Sequence, residues 1–167
     1  MFWVEGDPVI SENGIVLEVH GDPQALRRHR YDSRRGGHCY NPSSQSEKAF
    51  RECVGILLQR SQLACPKDVF FYGDSLFDVS FRFMMRRPLH HFTNNSRTDG
   101  RIKATTQEET TTLKKKDIDN MIKFCMDAMI GVVYRDDSNI VSLNSTKELD
   151  SKDKCLGRTV IQVVLHS

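Results

Sequence analysis

A chain of 167 residues, 38% hydrophobic and 28% charged, is long enough for one ordinary core and too apolar to be disordered by composition. A net charge of only +2 excludes a case for nucleic acid built on total charge, so any such case rests on where the charges lie. No apolar run is long enough to span a bilayer and the amino terminus lacks a basic start and apolar signal core, which points to a cytoplasmic protein, nuclear if the host is eukaryotic.

Residues 1–13 read as an amino-terminal extension that ends in a turn at Ser11-Glu12-Asn13-Gly14. The β-branched run Gly14–His20 predicts a strand bounded by Gly21-Asp22-Pro23. Pro23–Ser44 shows no sustained period and reads as a mobile basic loop, with Arg27, Arg28, Arg30, Arg34 and Arg35 set against Asp32. Ser44 or Ser46 is placed to cap a helix running to about Gln62, with Phe50, Cys53, Val54, Leu57 and Leu58 on one stripe. After Pro66, Lys67–Tyr72 and Leu76–Met84 alternate as strands, the second with Phe77, Val79, Phe81 and Phe83 on its buried face. Arg86–Leu113 is a long polar connection that begins with Arg86 and Arg87. It reads as a flexible basic loop over 86–113 leading to Lys114, Lys115 and Lys116.

Ile118, Met121, Ile122, Cys125 and Met129 keep helical spacing after Asp117, and Gly131 supplies the stop. Val132–Tyr134 leads to a turn at Asp136-Asp137, and Asn139–Lys147 and Arg158–His166 read as closing strands. The order β-α-β-β-α-β-β predicts a single α+β domain over 14–167, with a mixed sheet of about four to five strands and two main helices on one face. The stripe Met121, Cys125, Met129 belongs to the core or to a dimer interface. Five scattered cysteines without a Cys-x-x-Cys pair read as reduced thiols, and His38 with Cys39 matches no standard zinc spacing.

The chemistry concentrates around the lysine run. Three successive lysines repel one another and favour a polyanion, whereas Asp117, Asp119, Asp136 and Asp137 together favour a divalent cation. A site that handles a phosphate backbone with a hard metal ion satisfies both demands, and oxygen ligands suit Mg²⁺ or Mn²⁺ rather than zinc. Convergence of these carboxylates requires the Asp136-Asp137 turn to return beside the helix amino end. Taken singly, each aspartate reads better as an ordinary helix-start or turn residue, and only together with the lysine run does the balance turn to a metal site. Lys123 lies one turn after Asp119 and one before Asp127, which suits either catalysis beside a metal or a helix-surface ion pair. An Asp-x-Asp phosphatase is disfavoured, because lysines rather than an apolar strand precede the motif. Of the residues with weaker claims, His90 and His91 touch phosphate or cover a strand end, and Tyr31, Tyr40 and Phe92 stack on bases or pack.

The run Lys115-Lys116-Asp117-Ile118-Asp119-Asn120-Met121-Ile122-Lys123, followed by Asp127-Ala128, Gly131, Asp136-Asp137 and an apolar strand, resembles the core of the RusA-type Holliday junction resolvases. Arg86-Arg87-Pro88 with His90 and His91, and Val19-His20-Gly21-Asp22-Pro23, resemble that family's upstream segments. The similarity covers about Gly14 to His166. It implies the RusA fold and a Mg²⁺-dependent crossover junction endodeoxyribonuclease that acts as a homodimer on branched DNA in recombination and repair. It carries the metal-binding role to Asp117, Asp119 and Asp137, with Asp136 secondary, and the essential lysine role to Lys123. DNA contact is expected from Arg27, Arg28, Arg30, Arg34, Arg35, Arg86, Arg87, Lys114, Lys115 and Lys116. Ile130 and Leu89 depart from the family pattern, and residues 1–13 have no counterpart in it. A junction-binding protein without cleavage is the alternative.

Overall fold

A computed structural model describes the chain except residues 12, 63–74 and 107–109, with the side chains of Asp32, Arg35, His38 and Gln62 also outside the description. The elements in chain order are β1 (Val9–Ser11), β2 (Gly14–His20), β3 (Arg30–Asp32), β4 (His38–Tyr40), α1 (Ser44–Gln62), β5 (Phe77–Met85), α2 (Ile118–Met129), β6 (Ile140–Leu149) and β7 (Arg158–Leu165). Five of the strands form one mixed sheet in the order β1-β2-β7-β5-β6, and β3 with β4 forms a separate hairpin. The architecture is the expected single-domain α+β fold. The strand expected at Lys67–Tyr72 lies outside the described residues.

Alternation places the core. Ile15, Leu17 and Val19 of β2, Ile161 and Val163 of β7, and Phe77, Val79, Phe81 and Phe83 of β5 all bury on one face of the sheet. Onto that face pack Phe50, Val54, Leu57 and Leu58 of α1 and Met121, Phe124, Cys125, Ala128 and Met129 of α2. The two helices meet through the Phe50 and Phe124 rings, edge to face at 5.7 Å, a geometry that adds about 1 kcal/mol beyond area burial. From α1, Arg51 Nε donates to the Ala128 carbonyl at 3.0 Å, satisfying one of the acceptors that a helix end leaves open. No helix among the described residues is long and apolar enough to cross a membrane.

Three differences from the expected elements have physical causes. The amino-terminal extension adds a strand to the sheet: β1 pairs antiparallel with β2, and the Trp3 and His20 main chains exchange hydrogen bonds of 3.1 and 2.9 Å. The Phe2 ring packs at 5.2 Å on Phe50, so this segment covers the edge of the core. The arginine-rich loop contains the β3–β4 hairpin, with Tyr31 opposite Cys39. The connection over 86–113 carries tight 3₁₀ turns at Leu89–His91, Thr93–Asn95 and Ala104–Thr106, joined by hydrogen bonds such as Lys103 N–H to the His91 carbonyl at 2.9 Å.

The connection of β5 to β6 positions the candidate site. The two strands are parallel neighbours, so the chain must cross from the end of β5 to the start of β6, and α2 lies within that crossing. The segment before α2 therefore sits at the carboxyl edge of β5, and the segment after it at the opposite edge. β2 runs in the same direction as β5, because both are antiparallel to β7. His20, Gly21 and Asp22 thus join Arg86 and Lys116 at one edge.

Candidate functional site

Asp117 occupies the amino-cap position of α2 with extended backbone (φ −74°, ψ 134°), yet its side chain makes no capping hydrogen bond. An aspartate there ordinarily caps the helix's free N–H groups. Here its exposed carboxylate is not used for that purpose, and it stands beside the positive end of the helix dipole. Asp119 is exposed in the first turn, and Lys123 is exposed one turn further on the same face, ahead of half-buried Asp127. Among the described residues no ion pair or hydrogen bond engages the side chains of Asp117, Asp119 or Lys123.

The basic segments gather around this helix end. Lys114 and Lys115 are exposed in a 3₁₀ turn directly before Asp117. Lys116 is tied down: its Nζ pairs with Asp22 Oδ2 at 2.7 Å and also donates to the Pro23 carbonyl. Lys147 of β6 donates to the Lys116 carbonyl at 2.7 Å and to that of Leu113, which fixes the backbone of the lysine run. The arginine segment is anchored at the same place, because the Leu26 N–H donates to the Asn120 carbonyl at 2.8 Å. Ser43 accepts the Arg27 N–H on its hydroxyl at 2.9 Å and the Glu47 N–H on its carbonyl at 2.9 Å, so α1 opens on Ser43, ahead of the expected Ser44 or Ser46. Arg27, Arg28, Arg30 and Arg34 are exposed, and the Arg35 side chain lies outside the description.

Asp136 and Asp137 lie elsewhere in the chain. The crossing places them before β6, at the far end of α2, which is about 17 Å long at 1.5 Å per residue. β6 agrees: Ile140 follows this turn, whereas Lys147, about 23 Å along an extended strand, touches Lys116. The required return of the turn to the helix amino end therefore does not occur within this chain. Among the described residues no three His, Cys, Asp or Glu side chains come together to hold a metal. The donor chemistry fits a hard cation, but the described residues of a single chain do not assemble the set. Asp136 accepts the Ser138 N–H and also shares a hydrogen bond with Asp137. That shared bond lowers the Asp136 carboxyl and raises that of Asp137.

Other expected contacts fall differently. Arg87, expected on the DNA-facing surface with Arg86, is buried and donates from Nε to the Asp150 carbonyl at 2.6 Å, whereas Arg86 is exposed. His91 is fully buried and cannot reach phosphate; His90 is exposed. Phe92 is buried beneath a loop, while Tyr31 and Tyr40 stand exposed on the hairpin. Met121, Cys125 and Met129 are buried in the core of this chain, which decides between the two expected readings of that stripe. The described cysteines are free, and burial raises the Cys125 thiol far above its ordinary value.

Asp22 and Lys147, which set the Lys116 position, were not among the expected site residues. Asp22 was visible in the Gly21-Asp22-Pro23 turn, but no local pattern marks Lys147, whose role depends on sheet order. A family model described as Endodeoxyribonuclease RusA matches residues 20–163 of this chain. No curated protein matches it.

Proposed function

Because the chain belongs to the RusA endodeoxyribonuclease family, we propose that it resolves four-way DNA junctions by phosphodiester hydrolysis, with Mg²⁺, or Mn²⁺ in its place, as the cation. The observation that carries this reading is the Asp117 carboxylate, which sits at a cap position without capping, beside exposed Asp119 and a run of lysines. Asp117 and Asp119 are the ligands supplied at this edge, and a bound cation there would stabilise charge on the phosphate under attack. Lys123 adds a fixed positive charge one turn along the same face. Arg27, Arg28, Arg30, Arg34, Arg35, Arg86, Lys114 and Lys115 contact the DNA backbone, while Lys116 is held by Asp22. Arg87 acts by holding the loop rather than by touching DNA. The protein works inside the cell, where junctions form in recombination and repair.

A homodimer reconciles the ligand set with the fold. In a two-fold pair with α2 helices antiparallel, Asp137 of one subunit, with Asp136 secondary, meets Asp117 and Asp119 of the other. Support comes from the single-subunit geometry, in which the two acidic groups lie at opposite ends of one helix. Asp119→Asn and Asp137→Asn should each abolish cutting while junction binding stays intact or strengthens, since a repulsive charge near phosphate is lost. Mixed and re-associated, the two variants form a heterodimer with one doubly altered and one intact site, so cutting should return. Failure to complement means that the acids are not shared across the two-fold, and loss of binding together with cutting makes Asp119 structural.

A further inference from the structure

Between the carboxyl end of β5 and the lysine run lies an open cavity of about 200 Å³ whose charge is one-sided. Five cationic side chains line it (Arg86, Arg87, Arg97, Lys115 and Lys116) against the single carboxylate of Asp22. Two of the five are spoken for. Lys116 pairs with Asp22, and Arg87 donates to the carbonyls of Asp150 and Thr106. Arg86, Arg97 and Lys115 have no anionic partner among the described residues.

Arg97 is the unusual member. Its Nη2 donates to the Arg87 carbonyl and its guanidinium lies 5.8 Å over the Phe92 ring, so the head is fixed in place. Its Nε is buried with no hydrogen-bond partner. Burial, and then the charge of Arg86, push the Arg97 guanidinium below its ordinary value, yet arginine does not give up its proton in proteins. The unmet demand is for an anion. The loop that carries Arg97 is tightly made: Asn94 and Asn95 take left-handed backbone (φ 58° and 50°), and a Cβ at Gly100 would collide with the Thr93 and Ser96 carbonyls. Thr93 and Arg101 close its base with bonds of 2.9 Å.

We propose that this cavity seats a backbone phosphate of the DNA strand, with Arg97 as the pre-positioned guanidinium and Arg86 and Lys115 completing the charge. The proposal rests on the junction-nuclease reading and adds to it a specific phosphate subsite. Position favours a strand phosphate over a free ion, because the cavity wall at Lys115 and Lys116 continues directly in the chain into Asp117, and Arg86 in that wall is exposed. A strand bound there presents its next phosphates to the α2 amino end. Arg97 is thus a DNA-positioning residue, and Lys116–Asp22 is the wall that keeps the pocket's shape.

The test measures junction binding by fluorescence anisotropy from 50 to 200 mM NaCl without divalent cation. Arg97→Gln and Lys115→Gln should each flatten the log–log salt slope by about 0.7–0.9 unit, the value for one lost phosphate contact, and Arg97→Lys should keep most of it. Should Arg97→Gln fail to fold for want of its bond to Arg87, Lys115→Gln carries the same test from an exposed position. Unchanged slopes in the charge-removing variants overturn the pocket. A second arm compares thermal midpoints in inorganic phosphate and in chloride at equal ionic strength. Stabilisation by phosphate that disappears in Arg97→Gln, with junction slopes unaltered, assigns the cavity to a free anion and also overturns the proposal. Cutting is read separately: wild type that binds with full slope and never cuts sinks the activity, not the pocket.

Discussion

Neighbouring arginines at the end of β5 should behave in opposite ways. Arg87 is 5% exposed, with one strong hydrogen bond (Nε to the Asp150 carbonyl, 2.6 Å) and one long one (Nη1 to the Thr106 carbonyl, 3.4 Å). A hydrogen bond from a charged donor contributes about 1.5–3 kcal/mol, and an abandoned buried acceptor costs a comparable amount, so Arg87→Ala should lose about 3 kcal/mol of stability. At about 2–4 °C per kcal/mol for a chain of this size, the thermal midpoint should fall by about 6–12 °C. Arg86 is exposed and its side chain is bonded to no described residue, so Arg86→Ala should move the midpoint by no more than about 1–2 °C. In junction binding the order reverses. Arg86→Ala should flatten the salt slope by about 0.9 unit, and folded Arg87→Ala should keep the wild-type slope. Calorimetry gives the first pair of numbers and anisotropy the second. An Arg87→Ala protein that is as stable as wild type but has a flattened slope would refute the assignment of Arg87 to the interior.

Replacing Arg27, Arg28 and Arg30 by alanine should weaken junction binding and flatten its salt slope by up to about one unit per lost contact, with a much smaller effect on the single-turnover rate at saturating protein. A collapsed rate at unchanged affinity would move these arginines into the active site. Glu18 supplies a pH test: burial raises its carboxyl, but Arg158 and then Lys152 outweigh that and hold it below the ordinary Glu value of 4.5. A carboxyl depressed on folding stabilises above its unfolded pKa and loses that contribution as pH falls through its folded value. The midpoint difference between wild type and Glu18→Gln should therefore be constant above about pH 5.5 and narrow progressively as pH falls below 4.5, and a gap that does not narrow on acidification would contradict the pairing.

Period carried most of the fold. Alternation in Gly14–His20, Leu76–Met84 and Arg158–His166 and helical spacing in the two helices correspond to β2, β5, β7, α1 and α2 within a residue or two. Three-residue strands offer too few positions for a period, which is why β1 and the β3–β4 hairpin were not legible. One buried residue was legible and passed over. Phe77, Val79, Phe81, Phe83 and Met85 alternate inward, and Arg87 continues the same phase, so its burial follows from the strand while Arg86 faces out. The place of Asp137 was legible only through topology. Once β5 and β6 are parallel neighbours, a crossing helix must separate Asp117 from Asp137, but nothing local in the chain states that pairing. The uncapped state of Asp117 depends on side-chain direction, which spacing does not encode.

Cleavage of a labelled mobile four-way junction, set beside a matched linear duplex at saturating protein, tests the central claim most directly. Paired symmetric cuts are expected in the junction with Mg²⁺ or Mn²⁺, none with excess chelator, and an intact duplex throughout. Equal cutting of both substrates, or full cutting in chelator, contradicts it, and binding of the junction without cleavage under any of these conditions would leave a junction-binding protein instead.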